Sequence, residues 1–431
     1  MQQYGAPILV QQTVWVVVQV LAQKIVVIKL SEKVEDNCWR NIRLVSSFLL
    51  YELEKAMPNN KINAARYVTL TITEACNLNC VYCYENHKSK KHMSLETAKK
   101  IIRSEALMAN NIHMIEFDLF GGEPFLQFEL IKQIDEYILN ELDVPMQFRL
   151  FATTNGTLIH KDIQKWLKDR KNYFYVGLSY DGTHHMQDIN RSNSSMLVDL
   201  DFFRDTYPDQ DIKMTISQES LNSLADGVIF LHEKGFQVSC NLAYGIDWSD
   251  KSHRTILENE LYKLMRFYFD HPNIIPCSML NDSLVNVVNA FNQKKLIRYC
   301  GAGIGTEAYH SDGEKYPCTL FLPISIGQER SKASQAIKFY NDEIPIECVE
   351  EKCRSCVIQS VCPTCYGANY AATGDIYKHD DNYCELTKII VKARSYFQAK
   401  RWELGQLNIS DEELPSLLQS IQLIQENLNL D

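Results

Sequence analysis

The chain has no surplus of positive charge: 44 Lys and Arg stand against 54 Asp and Glu, a formal net charge of −10. A surface that neutralises a phosphate backbone needs an excess of basic residues, so no nucleic-acid partner is expected. A long unbroken apolar run is also missing. The stretch from Pro7 to Leu30 is interrupted by Gln11, Gln12, Gln19, Gln23, Lys24 and Lys29. A helical span needs about 20 nearly continuous apolar residues, so no membrane partner is expected, and the Val and Ile content suits β-strands better. The opening residues, Met1-Gln2-Gln3-Tyr4-Gly5, carry no basic segment of the kind that begins a secretory signal. Low-complexity linkers and internal repeats are absent too.

Cysteine, in contrast, is abundant, with 14 in 431 residues. Disulfide frameworks belong to short secreted chains. A long chain without a signal segment is read instead as cytoplasmic, with reduced thiols free to bind metal. Its length suggests two or three units, and 45% hydrophobic residues can fill a complete core.

From about Arg66, strand-like runs alternate with helical patterns. The strands are read at Tyr67 to Ile72, Ile115 to Phe120, Phe148 to Ala152, Tyr173 to Leu178, Ile212 to Ile216 and Gln237 to Leu242. Ser94 is read as the N-cap of a helix carrying Ala98, Ile101, Ile102 and Glu105 at helical spacing. Further helices are expected around Leu130 to Ile138, Asp162 to Asp169 and Leu221 to Lys234. The alternation predicts an α/β fold, an incomplete (β/α)6 TIM-like barrel, followed by a C-terminal cysteine-rich region. Chemistry in such barrels sits on the loops that follow the strands. The expected division is an N-terminal β/α segment (1–66), a core barrel (67–250), a helical linker (251–295), an auxiliary domain (296–390) and a helical tail (391–431).

Directly after the first barrel strand comes Cys76-Asn77-Leu78-Asn79-Cys80-Val81-Tyr82-Cys83. Three thiolates on one loop can grip three irons of a cubane and leave the fourth open to an exogenous ligand. A zinc site, the bland alternative, normally takes four protein ligands, and His87 is the nearest residue that could complete one. After the second strand, Gly121 and Gly122 let the backbone approach a ligand closely, and Glu123 can accept a hydrogen bond from an ammonium group. Thr153 to Gly156 and Ser179 to Gly182 end the next two strands, and either could be a plain turn. Arg191 and the pair His184-His185 are read as solvated loop residues.

The C-x3-C-x2-C triplet, with an aromatic residue before its last Cys, resembles the signature of the radical S-adenosylmethionine (SAM) superfamily. The resemblance implies a 4Fe–4S cluster on Cys76, Cys80 and Cys83, with SAM on the open iron. Tyr82 would lie near the adenine, Gly121-Gly122-Glu123 would hold the amino group, and Ser179 and Ser217 would touch the ribose or carboxylate. Reductive cleavage of SAM by an external one-electron reductant (flavodoxin or ferredoxin) would start radical chemistry.

The second cysteine region places Cys300 and Gly313-x4-Cys318 before Cys353-x2-Cys356-x5-Cys362-x2-Cys365 and Cys384. Alone, Cys353 to Cys365 reads equally as a zinc ribbon. The whole pattern resembles the SPASM domain of peptide- and protein-modifying radical SAM enzymes, which implies two auxiliary 4Fe–4S clusters. Cys353, Cys356, Cys362 and Cys384 would bind one, and Cys300, Cys318 and Cys365 the other. Its fourth ligand would be Cys348 or a substrate thiolate. Two residues separate Cys362 from Cys365 where the family pattern has three. Cys38, Cys240 and Cys277 are read as buried, inert thiols.

Anaerobic sulfatase maturases of this group carry an Asp base after the Cys of the Gly-x4-Cys segment. Here Thr319 follows Cys318, and threonine is no base at neutral pH. The expectation is therefore a maturase that crosslinks a ribosomally made peptide, with residues 1–66 as a barrel cap or a peptide-docking element. Sulfatase maturation, small-alcohol dehydrogenation and a non-enzymatic zinc protein stay as alternatives.

Overall fold

The computed structural model describes residues 15–18, 26–29, 65–108, 114–144, 147–294, 298, 300–340 and 344–428. The chain divides into two compact units, Met1–Pro58 and Asn59–Asp431. In the first, β1 (Trp15–Val18) pairs antiparallel with β2 (Val26–Lys29), within the stretch read as β-rich. The sequence pattern also predicts a helix over Trp39 to Lys55, which lies outside the described residues.

All six barrel strands of the second unit form where the sequence places them. They are β3 (Ala65–Thr73), β4 (Met114–Gly121), β5 (Gln147–Thr154), β6 (Phe174–Leu178), β7 (Ile212–Ile216) and β8 (Val238–Leu242). Neighbours β3 to β6 pair in parallel, as do β7 and β8. Between β6 and β7 the ladder thins to a bridge from Ser179 to Lys213 and a hydrogen bond from Tyr180 N–H to the Lys213 carbonyl (3.1 Å). The strands follow chain order and the sheet does not close on itself, giving an incomplete (β/α)6 barrel.

Burial explains the strand pattern. Val68, Leu70 and Ile72 of β3 and Ile115, Phe117 and Leu119 of β4 are almost wholly buried. So are Ile101 and Ile102 of α1 (Leu95–Met108) and Ile131, Ile134 and Ile138 of α2 (Phe128–Asn140). Each such side chain contributes about 1.5–3 kcal/mol. The strand period of two turns Thr69, Thr71, Glu116, Asp118, Arg149 and Thr153 to the other face, the barrel interior. Ser94 caps α1 as expected, accepting from Thr97 N–H at 3.1 Å. The remaining crossover helices include α3 (Lys161–Lys168), α4 (His184–Asn190), α5 (Leu200–Thr206) and α6 (Leu224–Glu233).

The cysteine-rich region holds a feature that sequence reasoning missed. A short hairpin, β9 (Thr306–Tyr309) and β10 (Lys315–Tyr316), extends the barrel sheet, with β9 parallel to the outer edge of β3. The Asp312-Gly313 pair between two short runs was the available signal. Gly313 turns the hairpin in the left-handed region (φ +91°), and that turn is what the Gly-x4-Cys spacing encodes: it delivers Cys318 just past the end of β10. Buried Glu105 of α1 ties this edge together, accepting from Arg66 Nε (2.6 Å) and Tyr309 Oη (2.5 Å).

Past the barrel run α7 (Ser252–Asp270), α8 (Tyr366–Thr373), the long α9 (Asp381–Glu403) and α10 (Leu414–Asn427). The tail helix buries Leu417, Ile421 and Ile424 against Val391 of α9, as its amphipathic spacing predicts, while Leu418 is only partly buried. Among the described residues, no helix is long and apolar enough to cross a membrane.

Candidate functional site

The three thiols Cys76, Cys80 and Cys83 lie on the loop that leaves β3, and neighbouring elements fasten that loop. Asn77 donates to Thr157 Oγ1 (2.8 Å) and accepts from Asn155 Nδ2 (2.9 Å). Asn79 N–H donates to Ser192 Oγ (2.9 Å), and Val81 N–H to the Asn190 carbonyl (3.0 Å). The Asn77 side chain and the Asn79 and Val81 backbone therefore position the loop without using the sulfurs. Burial pushes the Cys76 thiol up to about 11 and raises Cys80 as well, so metal binding has to displace protons from them. Lys88 Nζ stands 3.0 Å from Cys83 Sγ and supplies a compensating positive charge.

Gly121 and Gly122 serve this same loop. A Cβ on Gly121 would lie 1.9 Å from the Thr73 carbonyl oxygen, and one on Gly122 would lie 2.4 Å from that of Ala75. The close approach that glycine permits here is to the chain itself, which seats the first cysteine against the end of β4. Glu123 follows, 1% exposed, and accepts from Thr154 Oγ1 (2.8 Å), Phe125 N–H (3.2 Å) and Asn155 N–H (2.8 Å). Burial pushes its carboxyl up to about 7, against the pull of those donors. Such a group is short of positive charge, which an ammonium ligand would provide.

Tyr82 brings in a residue that the sequence showed only as part of a turn. Its hydroxyl donates to Asp181, a fully buried carboxylate. Asp181 also accepts from Arg191 Nε (3.0 Å), Asn190 Nδ2 (3.1 Å) and Thr215 N–H (3.0 Å). Arg191 is therefore no solvated loop residue. It is 8% exposed, ion-paired, and its guanidinium sits 5.4 Å from the centre of the Tyr82 ring. Burying the pair excludes water beneath the loop, and the carboxylate compensates the guanidinium. His184 and His185 are exposed, as expected. Of the two serines, Ser217 is buried and donates to Asn190 Oδ1 (2.8 Å), while Ser179 is partly exposed on the rim.

The remaining thiols fall into two groups. Burial raises Cys362, and the neighbouring charges of Cys384, Cys356 and Cys353 add to the effect. Burial likewise raises Cys318, with Cys365 and Cys300 as its neighbours. Cys348 shares the small apolar cluster of Ile344 and Val349 with Cys353 and Tyr377. Cys240 and Cys277 are buried, and Cys38 lies outside the described residues.

A tetrahedral zinc would draw its four sulfurs to about 3.8 Å from one another. Among the described residues, the group compact enough to share one ion is Glu350, Cys353 and His379. Neither the Cys76 triplet nor the Cys353-to-Cys365 run forms such a set, and the His87 ring lies against Gly327. The sulfurs of these two sets are thus not gathered as one shared ion would require.

Between the first loop and the auxiliary region lies a cavity of about 410 Å³, lined in part by Tyr82, Cys83, Tyr244, Trp248, Cys362, Cys365 and Cys384. Tyr244 closes one wall, stacking on Tyr383 (4.7 Å) and donating to the Pro363 carbonyl (3.1 Å).

Residues 70–258 match the model of the Radical SAM superfamily. This stretch is a radical SAM domain. The radical SAM family uses SAM and a 4Fe–4S cluster, and the match begins within β3 and contains the cysteine triplet. An AdoMet-dependent heme synthase from Methanosarcina barkeri is 24% identical over 75% of this chain and 97% of its own length. An uncharacterized protein of Methanocaldococcus jannaschii is 36% identical over 121 residues, 28% of this chain and 40% of that protein. A GTP 3′,8-cyclase of Stenotrophomonas maltophilia is 32% identical over 23% of this chain and 29% of the cyclase. The chain thus spans less than half the length of the latter two. Among solved structures, anSMEcpe with bound AdoMet superposes with a TM-score of 0.58 at 17% identity, covering 82% of this chain and 98% of that one. The shared fold therefore extends well past the radical SAM domain.

Proposed function

We propose that this chain is a radical SAM maturase that takes a hydrogen atom from a peptide or protein substrate, crosslinking a ribosomally synthesised peptide. The observation that carries the reading is the cavity between the Cys76–Cys83 loop and the auxiliary thiols, since a substrate seated there touches both. When bound, a reduced cluster on Cys76, Cys80 and Cys83 together with SAM supplies a 5′-deoxyadenosyl radical. The chain does the positioning. Glu123 takes the cofactor's ammonium, Asp181 and Arg191 hold Tyr82 in place, and Ser179 and Ser217 lie toward the ribose or carboxylate. Cys353, Cys356, Cys362 and Cys384 would hold one auxiliary cluster. Cys300, Cys318 and Cys365 would hold another, leaving a position for a substrate thiolate or for Cys348.

Thr319 in place of a carboxylate base argues against formylglycine formation. The near full-length match to the heme synthase favours a second reading, a non-peptide substrate such as a tetrapyrrole. Co-expression with a short cysteine-containing peptide, chosen from open reading frames beside the gene, separates the two. The expected result is a mass loss of two hydrogens per crosslink. An unmodified peptide alongside a converted tetrapyrrole or small alcohol would overturn the peptide reading.

A further inference from the structure

The barrel interior holds polar groups that the cofactor site does not use. Asp118 faces inward from β4, three residues before Gly121 and so about 10 Å below the rim. Its Oδ2 accepts a long hydrogen bond from Thr69 Oγ1 (3.4 Å), while Oδ1 is shielded from solvent and has no partner. Thr71 Oγ1, one inward position higher on β3, is likewise unpartnered. From the far wall, Lys213 of β7 reaches in across the Phe151 ring (5.0 Å), and its Nζ donates to Thr153 Oγ1 (2.8 Å). Gly177 leaves room for that arm, since a Cβ there would lie 2.9 Å from the edge of Phe151 and 3.4 Å from Lys213 Cε. Below them, Arg149 and Glu116 satisfy each other at 2.5 Å, with Arg149 over Tyr175.

The lower pair is therefore closed and the upper pair is open. A shielded carboxylate oxygen without a donor costs stability, and inside a barrel beneath a radical site it has an evident use. We propose that Asp118 and Lys213 position the substrate by gripping one peptide unit, Asp118 Oδ1 accepting its N–H and Lys213 Nζ donating to its carbonyl. The pair of one acid and one base carries no net charge, so the ligand it favours carries none either. It also has to offer one donor and one acceptor a few ångströms apart, as an amide does. Burial pushes the Asp118 carboxyl up to about 7, with Lys213 drawing it back, while the Lys213 side chain stays accessible in the open barrel. Asp118 is thus short of a donor that a peptide N–H would supply, and Lys213 is accessible to the carbonyl at the other end. This assignment rests on the radical SAM reading and supplies its substrate class.

The test uses reconstituted holoenzyme and two probes, N-acetylglycine N-methylamide and 1,3-propanediol, read by saturation-transfer NMR. Formation of 5′-deoxyadenosine from SAM under dithionite is measured separately, and its absence in the wild type would fail the radical reading without touching the pair. The blocked glycine is expected to bind with the diol showing no competition, and its affinity should fall at least fivefold in Asp118→Asn and Lys213→Met. Lys213→Arg, which keeps the donors, should retain most of it. Asp118→Asn removes the charge at constant shape and Lys213→Arg keeps the charge, so packing and charge are tested separately. Equal affinity in all four proteins, no binding of the amide, or binding of the diol alone would overturn the proposal.

Discussion

Replacing Cys76, Cys80 and Cys83 together with Ala is expected to remove about four irons per chain and to lower 5′-deoxyadenosine formation by at least ~10³-fold. The size of the effect follows from the geometry around the thiols. The loop is fastened through Asn77, Asn79 and Val81, none of which can ligate iron as the chain holds them. Removing the sulfurs therefore leaves a correctly placed loop without its thiols, and the nearby carboxylates Glu123 and Asp181 are already engaged by their own donors. Lys88 loses its sulfur partner, which adds an uncompensated cation to the site. The fold should survive, because the β3–β4 ladder and the glycine contacts at Thr73 and Ala75 do not involve the sulfurs. Iron and acid-labile sulfide analysis with chromatography of the nucleoside products reads both effects. Unchanged turnover in the triple variant would remove the basis of the proposed chemistry.

Asp181→Ala should cost about 3–5 kcal/mol of unfolding free energy, the range for breaking one side of a buried ion pair. Arg191 would be left with a largely buried guanidinium and no carboxylate, while Tyr82 Oη, Asn190 Nδ2 and Thr215 N–H would lose an acceptor. Because Tyr82 sits between Cys80 and Cys83, the damage reaches the cluster loop, and SAM affinity should fall with stability. Urea denaturation and SAM titration of the same preparations check the two effects together. A loss below about 1 kcal/mol would mean that Arg191 escapes to solvent and that the buried pair does not hold the loop.

The barrel and its first cysteine loop were legible because each rests on a local signal. Alternation such as Ile115-Glu116-Phe117-Asp118-Leu119 marks a strand with one fully buried face. Cysteine spacing within eight residues needs no tertiary information to imply a shared ligand. The Ser94 cap was legible for the same reason, its partner lying three residues away.

What the sequence concealed is non-local. Strand β10 is two residues long, too short for any period, and β9 finds its partner β3 more than two hundred residues earlier. Arg191 looked like an ordinary loop cation because charged residues default to solvent. Its burial depends on Asp181 across a turn whose Asp-Gly composition suggests only a bend. Asp118 and Lys213 were passed over because a barrel interior, unlike the sheet face under the helices, accepts polar residues. The alternation that exposes them was visible, but its inward half was not read for chemistry.

The most direct test is the electron paramagnetic resonance spectrum of the dithionite-reduced protein, recorded with and without SAM. With one iron open to the cofactor, addition of SAM should alter the signal of the cluster held by the N-terminal loop, and that response should vanish in the triple Ala variant. A wild-type spectrum that SAM leaves unchanged would contradict an open iron at Cys76, Cys80 and Cys83, and the radical function with it.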